Sequence, residues 1–226
     1  MKDPPFTVYD FFGYLASGLL FLTAIEYVWF GNLDKFKSVN VSLAVIVLII
    51  AYIIGHILAS PAKILLEILL INKCLGQPTT HLLIKNDRWY TKIIPDYFAP
   101  LPESICSAIM KKVPCKDSEH NLMKSIFTFV EGKLRYKDNL TSTLDIFLTQ
   151  YGFCRNISFT LLIISLLFFG VHHKADLDYR ITIATAALVG SIVMFLRSLK
   201  FHRQYAYELL VTYGASVLTK EVEKKP

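Results

Sequence analysis

Four long apolar stretches constrain this chain more than any other feature of its sequence. They occupy about residues 11–30, 41–59, 151–171 and 181–196. Each has roughly the length at which a helix, rising about 1.5 Å per residue, crosses about 30 Å of hydrocarbon. Backbone polar groups within lipid must be satisfied inside their own segment, so we expect helices even where β-branched residues abound. The sequence predicts an all-α integral membrane protein with four transmembrane helices.

Short connections join these spans into two antiparallel hairpins, because about ten residues link the first pair and nine the second. The first span is too long and aromatic for a signal peptide, and we expect it to be retained. The chain then divides into a first transmembrane hairpin with an interfacial helix (8–71), a cytoplasmic helical domain (72–150), a second transmembrane hairpin (151–200), and a cytoplasmic C-terminal helix and tail (201–226).

Helix boundaries outside the spans follow from prolines, caps and periodicity. At Ser60-Pro61 the pattern predicts a kink or a restarted helix, because Ser caps helices and Pro suits their first turn. Helices are also predicted over about 103–112 and 118–136, and from about Thr141 into the third span. We expect the helix of the fourth span to stop near Gly214. The restarted helix reads as amphipathic through Lys63, Ile64, Glu67, Ile68 and Ile71.

Charge distribution predicts the orientation. The chain carries a formal charge of +6, and most of its Lys and Arg residues lie at the N-terminus, in the middle segment and after the fourth span. The two short links hold only four, offset by acidic residues. By the positive-inside rule, both termini and the middle segment are predicted to be cytoplasmic.

The chain contains no recognisable catalytic or metal-binding motif. The chain has no nucleophile elbow, zinc-protease helix, P-loop or dinucleotide-binding glycine pattern, so we predict that it is not an enzyme. Its four cysteines form no CxxC pair and have no histidine at zinc-finger spacing. We therefore predict neither a cofactor nor a metal site, and we expect the thiols to be free.

Ionisable residues within spans are the first candidates for a functional role, since they are costly in hydrocarbon. Glu26, near the outer end of the first span, suits the entrance of a cation pore; the alternative is that it snorkels to the interface beside Trp29 and Lys35. His56, in the inner half of the second span, suits a gate or proton relay. The commoner situation is a neutral histidine bonded to a neighbouring helix.

Small residues and cations mark further candidate surfaces. Small residues four apart, at Gly13/Ser17, Ala186/Gly190 and Ala187/Ser191, predict close helix packing. Cations close to aromatic residues favour either a nucleotide or oligonucleotide ligand, or anionic lipid at the membrane surface. The candidate ligand-binding residues are Lys111, Lys112, Lys133, Arg135, Arg197, Lys200 and Arg203.

Three segments carry a resemblance to known proteins: residues 8–15 (VYDFFGYL), 52–56 (YIIGH) and 203–206 (RQYA). With the plan of hairpin, cytoplasmic insert and hairpin, the chain resembles the small four-span membrane effectors of bacterial anti-phage defence systems. Within this group it resembles the HalA proteins of the Hailong system, and the KwaA proteins of the Kiwa system are the alternative.

The HalA resemblance implies a homotetrameric ion channel held shut by a DNA oligomer that a partner nucleotidyltransferase makes. Loss of that ligand during infection would open the pore and depolarise the cell, a form of abortive infection. Glu26 or His56 would then line the pore, and the basic residues would face the ligand. The KwaA resemblance implies instead a membrane scaffold or sensor that recruits a cytoplasmic defence partner.

Overall fold

The computed structural model describes residues 8–30, 40–84, 89–92, 94–112, 119–134, 138–170 and 177–222. Within these ranges every regular element is helical, which confirms the all-α prediction. The elements in chain order are α1 (Val8–Phe30), α2 (Val41–Ala62), a π-helical segment (Lys63–Leu75), α3 (Pro78–Leu83), a 3-10 turn (Trp89–Lys92), α4 (Pro95–Phe98), α5 (Glu103–Lys112), α6 (Glu119–Leu134), α7 (Asp138–Gly170) and α8 (Leu177–Val222).

Four helical stretches are long and apolar enough to cross a membrane, as predicted. They lie within Phe11–Phe30, Val41–Leu83, Thr143–Gly170 and Tyr179–Thr219. Much of their apolar surface is exposed, including Ile49 at 55% and Val189 at 55%. Such surfaces are stable against lipid and not against water. The chain is therefore a multi-pass membrane protein.

The contacts divide the chain into two compact units. The span unit contains the described residues up to Ile71 together with Thr149–Ser198, and the insert unit contains Asn72–Leu148 and the described residues from Leu199 onwards. Helices α7 and α8 each contribute residues to both units.

Two glycines set the packing of α1 against α2 in the span unit. A Cβ atom on Gly18 would lie 1.7 Å from the carbonyl oxygen of Ala51, and one on Gly55 would lie 1.9 Å from that of Tyr14. The two backbones therefore touch at two successive points. Ser17 is fully buried beside this contact, as the predicted small-residue face requires.

Serine residues join α7 to α8 within the span unit. Ser158 Oγ donates to the carbonyl oxygen of Ser191 and Ser191 Oγ donates to that of Ser158, both at 2.8 Å. Of the two predicted small-residue pairs on α8, Ala187 and Ser191 are buried, whereas Ala186 is exposed. Reciprocal hydrogen bonds of this kind satisfy polar groups that lipid cannot.

Where a kink or a restarted helix was predicted at Ser60-Pro61, the structure changes from α-helix to the π segment. Pro61 lies inside α2 and donates no N–H, and from Lys63 the chain follows the wider π pattern of about 4.4 residues per turn. The buried residues are Ala62, Leu66 and Ile71, at spacings of four and five. The apolar residues of the predicted amphipathic helix differ in exposure: Ile71 is buried, whereas Ile64 and Ile68 are exposed.

A left-handed glycine ends the π segment. Gly76 has φ of +87° and a Cβ there would meet His81 Nε2 at 2.8 Å. His81 Nε2 lies 2.8 Å from the Leu75 carbonyl oxygen and donates to it, and Tyr97 OH donates to the Gly76 carbonyl oxygen at 3.0 Å. These bonds fix the turn from the π segment into α3.

The insert unit has its own apolar core. It is formed by α3, α5, α6 and the last part of α8, through buried residues that include Leu82, Ile109, Ile126, Val130 and Leu210. The predicted helices over 103–112 and 118–136 are present as α5 and α6. Their apolar residues recur at helical spacing because one face of each helix packs into this core.

The prediction that α8 ends near Gly214 is wrong. The helix continues to Val222, and Gly214 is buried within it. A Cβ at Gly214 would lie 2.5 Å from Ile105 Cγ2 on α5. The glycine permits close helix packing here, and it is not a cap.

We expect Gly214→Ala to destabilise the protein by about 1–2 kcal/mol, because the added methyl group overlaps a β-branched side chain. Thermal unfolding in detergent measures the change. Ile105→Ala in the same chain should recover part of the loss, since it removes the overlapping Cγ2. Gly132→Ala on α6, where nothing lies within 4 Å, is the matched control. Equal effects of Gly214→Ala and Gly132→Ala would contradict the packing role.

Candidate functional site

A charged cluster lies inside the span unit, between the π segment and α7. Glu67 Oε2 accepts a hydrogen bond of 3.0 Å from Tyr151 OH and forms an ion pair with Arg155 Nη1. The Arg155 side chain is only 14% exposed and that of Glu67 24%. The π pattern turns Glu67 inward on the same face as Leu66 and Ile71.

Arg155 is held by further contacts. Its Nη2 lies 3.5 Å from Asn156 Oδ1, and its guanidinium carbon lies 5.4 Å from the centre of the Tyr151 ring. The 15 residues from Arg155 to Gly170 span about 22 Å at about 1.5 Å per residue. A hydrocarbon core about 30 Å thick that begins at Gly170 would therefore include Arg155. An unpaired charge is costly at that depth, so the ion pair with Glu67 is required.

Sequence reasoning missed this cluster. Glu67 was predicted only as part of an amphipathic helix, and Arg155, near the start of the predicted third span, was counted with the cytoplasmic basic residues. Their pairing joins residues 88 positions apart, which no local pattern reveals. The available signal was an arginine immediately followed by a long apolar run, which is a functional candidate on its own.

The two predicted pore residues do not form one site. The His56 ring stacks on that of Tyr14, with centroids 3.8 Å apart, and meets Tyr52 edge-on at 4.6 Å. Glu26 is half-buried on α1, 12 residues beyond Tyr14 and so about 18 Å further along the helix. His56 is therefore packed in an aromatic cluster at one end of α1, and Glu26 lies towards the other.

The described ligand-binding candidates include four exposed cations and one cation that is held by contacts within the insert unit. Lys111, Lys133 and Lys200 are exposed on three helices of the insert unit, and Arg197 is exposed on the part of α8 in the span unit. Arg203 has a structural position: its Nη2 donates to the Ala99 carbonyl oxygen at 3.2 Å, and its guanidinium lies 5.6 Å from the Tyr207 ring. The side chain of Lys112 and the whole of Arg135 lie outside the described residues.

A small pocket in the insert unit has an acidic lining. Tyr205 OH donates to Glu131 Oε1 at 3.3 Å, and Asp145 adds a second carboxylate. Such a lining does not suit phosphate groups. The remaining lining residues are Leu134, Leu144, Leu148 and Leu209.

The cysteines of the described ranges are free thiols in different surroundings. Cys74 is exposed, and Cys106 is partly buried with its thiol 3.5 Å from the Leu83 carbonyl oxygen. Burial raises the pKa of the Cys106 thiol above its ordinary value. Among the described residues, no group of three or more His, Cys, Asp or Glu side chains is placed to hold a metal ion.

We expect iodoacetamide to alkylate Cys74 at least about tenfold faster than Cys106 in the folded protein at neutral pH. The thiolate is the reactive form, and burial of Cys106 lowers both its thiolate fraction and its accessibility. The alkylation rate of Cys106 should therefore keep rising with pH beyond the pH at which the rate of an exposed thiol levels off. Peptide mass spectrometry measures both rates, with the denatured chain as control. Equal alkylation rates of Cys74 and Cys106 in the folded protein would contradict the burial of Cys106.

Comparisons with protein-family models, with curated proteins and with solved structures found no match.

Proposed function

We propose that this protein is a membrane effector of anti-phage defence, acting as an oligomeric ion channel whose opening depolarises the membrane. The Glu67–Tyr151–Arg155 cluster is the observation that supports this best, because ionisable residues at hydrocarbon depth are characteristic of ion pathways and their gates. The defence setting is supported by the resemblance of residues 8–15, 52–56 and 203–206 to such effectors.

In this proposal the channel lies in the bacterial inner membrane, with both termini and the insert unit in the cytoplasm. The distribution of Lys and Arg supports this orientation. Four helices in one chain leave no room for a wide central pore, so the pore lies between subunits of a homo-oligomer. A tetramer is the assembly that the HalA resemblance implies.

The insert unit controls opening in this proposal. Helices α7 and α8 each contribute residues to both units, so a ligand that changes one part of such a helix acts on the same helix within the spans. The ligand is an oligonucleotide made by a partner nucleotidyltransferase. Exposed Lys111, Lys133 and Lys200 support an anionic ligand, whereas the contacts of Arg203 give it a structural role.

A scaffold or sensor that recruits a cytoplasmic partner is the second candidate. It is favoured by the insert unit, which has an apolar core of its own and exposes Met110, Ile146 and Leu148. Exposed apolar side chains of this size suit a protein partner. A scaffold needs no ion flux, so conductance separates the two candidates.

Membrane potential and viability in bacteria that express this chain alone provide the first test. Purified protein in planar bilayers provides the second. A channel should depolarise the cells and conduct in the bilayer, and the variants Glu26→Ala and His56→Ala report whether either side chain contributes to the pore. Absence of current in both the free and the ligand-treated protein would favour the scaffold.

The Glu67 and Arg155 pair separates a gating role from a folding role. The double variant Glu67→Leu/Arg155→Met removes both charges together, and so leaves no uncompensated charge in the spans. We expect it to insert and assemble normally but to lose regulated current. Gly152→Ala, at a position with nothing within 4 Å, is the control in the same helix as Arg155. Wild-type current and regulation in the double variant would exclude the cluster from gating.

Ligand binding is tested with single-stranded DNA oligonucleotides and purified protein. Affinity should fall as salt rises, because phosphate neutralisation releases counterions. Replacing Lys111, Lys133 and Lys200 together by Gln should weaken binding at least about tenfold and flatten the salt dependence. Unchanged affinity in the triple variant would exclude these lysines from the site.

A further inference from the structure

We propose that the π segment (Lys63–Leu75) is a binding surface for anionic phospholipid at one face of the membrane. Its outward apolar residues insert among the acyl chains, and Lys63 and Lys73 contact the phosphates of the headgroups. This inference goes beyond the proposed function and holds whether or not the protein conducts ions.

The first support is the outward face itself. Five large apolar side chains of the π segment are exposed, from Leu65 at 37% to Ile64 at 56%. The π pattern produces this face, since it keeps Leu66, Glu67 and Ile71 on the inner side at spacings of one and four. The exposed residues are Ile64, Leu65, Ile68, Leu69 and Leu70.

The second support is the depth of the segment. Helix α2 has 22 residues and a length of about 33 Å, enough to cross the hydrocarbon before the π segment begins. Glu67 is bonded to Arg155, which lies on α7 about 22 Å from Gly170 at about 1.5 Å per residue. The ion pair therefore holds the π segment at the boundary between acyl chains and headgroups, where an amphipathic helix is most stable.

The third support is charge. Lys63 and Lys73, near the two ends of the π segment, are exposed, whereas the Glu67 carboxylate contacts Tyr151 and Arg155. Two cations beside an apolar face complement anionic headgroups. A second copy of the same face would bring like charges together, so lipid is the better occupant.

Tryptophan quenching by brominated lipids tests the apolar contact. Ile68→Trp and Leu69→Trp are made in the full chain, reconstituted in vesicles, and the fluorescence of the wild-type tryptophans is subtracted. We expect strong quenching by lipids brominated near the headgroup and weaker quenching by lipids brominated near the chain end. Ile49→Trp, exposed on α2 within the span, should show the reverse order, and Met110→Trp in the insert unit should show neither.

Two results would overturn the apolar contact. Quenching of Ile68→Trp and Leu69→Trp by aqueous acrylamide, without lipid quenching, would place the face in water. Protection from both quenchers would mean that protein covers it, either a second copy or another partner. The positions are exposed, so the substitutions should not disturb folding.

Lipid selectivity tests the two lysines. In vesicles that contain phosphatidylcholine and phosphatidylglycerol, only one lipid is brominated at a time, and the ratio of quenching gives the enrichment at Ile68→Trp. We expect enrichment of phosphatidylglycerol, reduced up to about fivefold by each of Lys63→Gln and Lys73→Gln. Lys111→Gln is the control on an exposed lysine of the insert unit. Equal quenching by both lipids in the parent, or no change in the lysine variants, would overturn the headgroup contact.

Discussion

Gly18→Leu and Gly55→Leu should each prevent the normal packing of the first two helices, with a loss above about 3 kcal/mol. The reason is the distance between backbones: even a Cβ atom would lie 1.7 Å from the Ala51 carbonyl oxygen or 1.9 Å from that of Tyr14. No rotamer relieves a clash with a main-chain atom, so the helices must separate. Size-exclusion chromatography and thermal unfolding in detergent measure the loss.

The control for these variants lies in the same unit. Gly152→Ala adds a Cβ where no other atom lies within 4 Å, and a glycine in a helix interior costs about 0.5–1 kcal/mol relative to alanine. We therefore expect Gly152→Ala to be neutral or stabilising. A Gly18→Leu protein as stable as Gly152→Ala would show that α1 and α2 do not approach as closely as described.

Removing Arg155 alone has the second largest expected effect. Arg155→Met should cost about 3–5 kcal/mol, because it leaves the half-buried Glu67 carboxylate without its cation. Glu67→Leu/Arg155→Met should recover most of the loss, since replacing a buried ion pair by apolar groups is often neutral. Thermal unfolding of both variants and of the single Glu67→Leu protein gives the coupling energy.

Tyr151→Phe refines the same experiment. It removes only the 3.0 Å hydrogen bond to Glu67 and leaves the ring beneath Arg155, so we expect a loss of about 1–2 kcal/mol. If Arg155→Met were no more harmful than Tyr151→Phe, the ion pair would not be the main contribution of the cluster.

The helices and the spans could be predicted from the sequence because the interactions that stabilise them lie largely within one segment. A span needs only sufficient apolar length and internally satisfied backbone groups, and both can be read from one segment. Helix α5 follows Pro102 and begins at Glu103, where a proline and an acidic first turn favour a start. The Ala187 and Ser191 pair is buried as predicted, since small residues let helices approach.

The candidate site was harder to predict than the fold. Glu26 and His56 were chosen because ionisable groups in spans are costly, and that reasoning is sound for each residue separately. That reasoning does not identify the residues that Glu26 or His56 contacts. Arg203 shows the same limit, because its bond to Ala99 O and its contact with Tyr207 depend on how α8 packs within the insert unit.

The amino-acid sequence by itself determined that this chain is a four-span, all-helical membrane protein, since apolar length and backbone satisfaction act segment by segment. Tertiary structure alone decided the π pattern after Pro61, the contacts of Gly18, Gly55 and Gly214, and the pairing of Glu67 with Arg155. Each of these depends on which distant residue comes within a few ångströms. A charge or a missing Cβ has a definite energetic effect only when that neighbour is known.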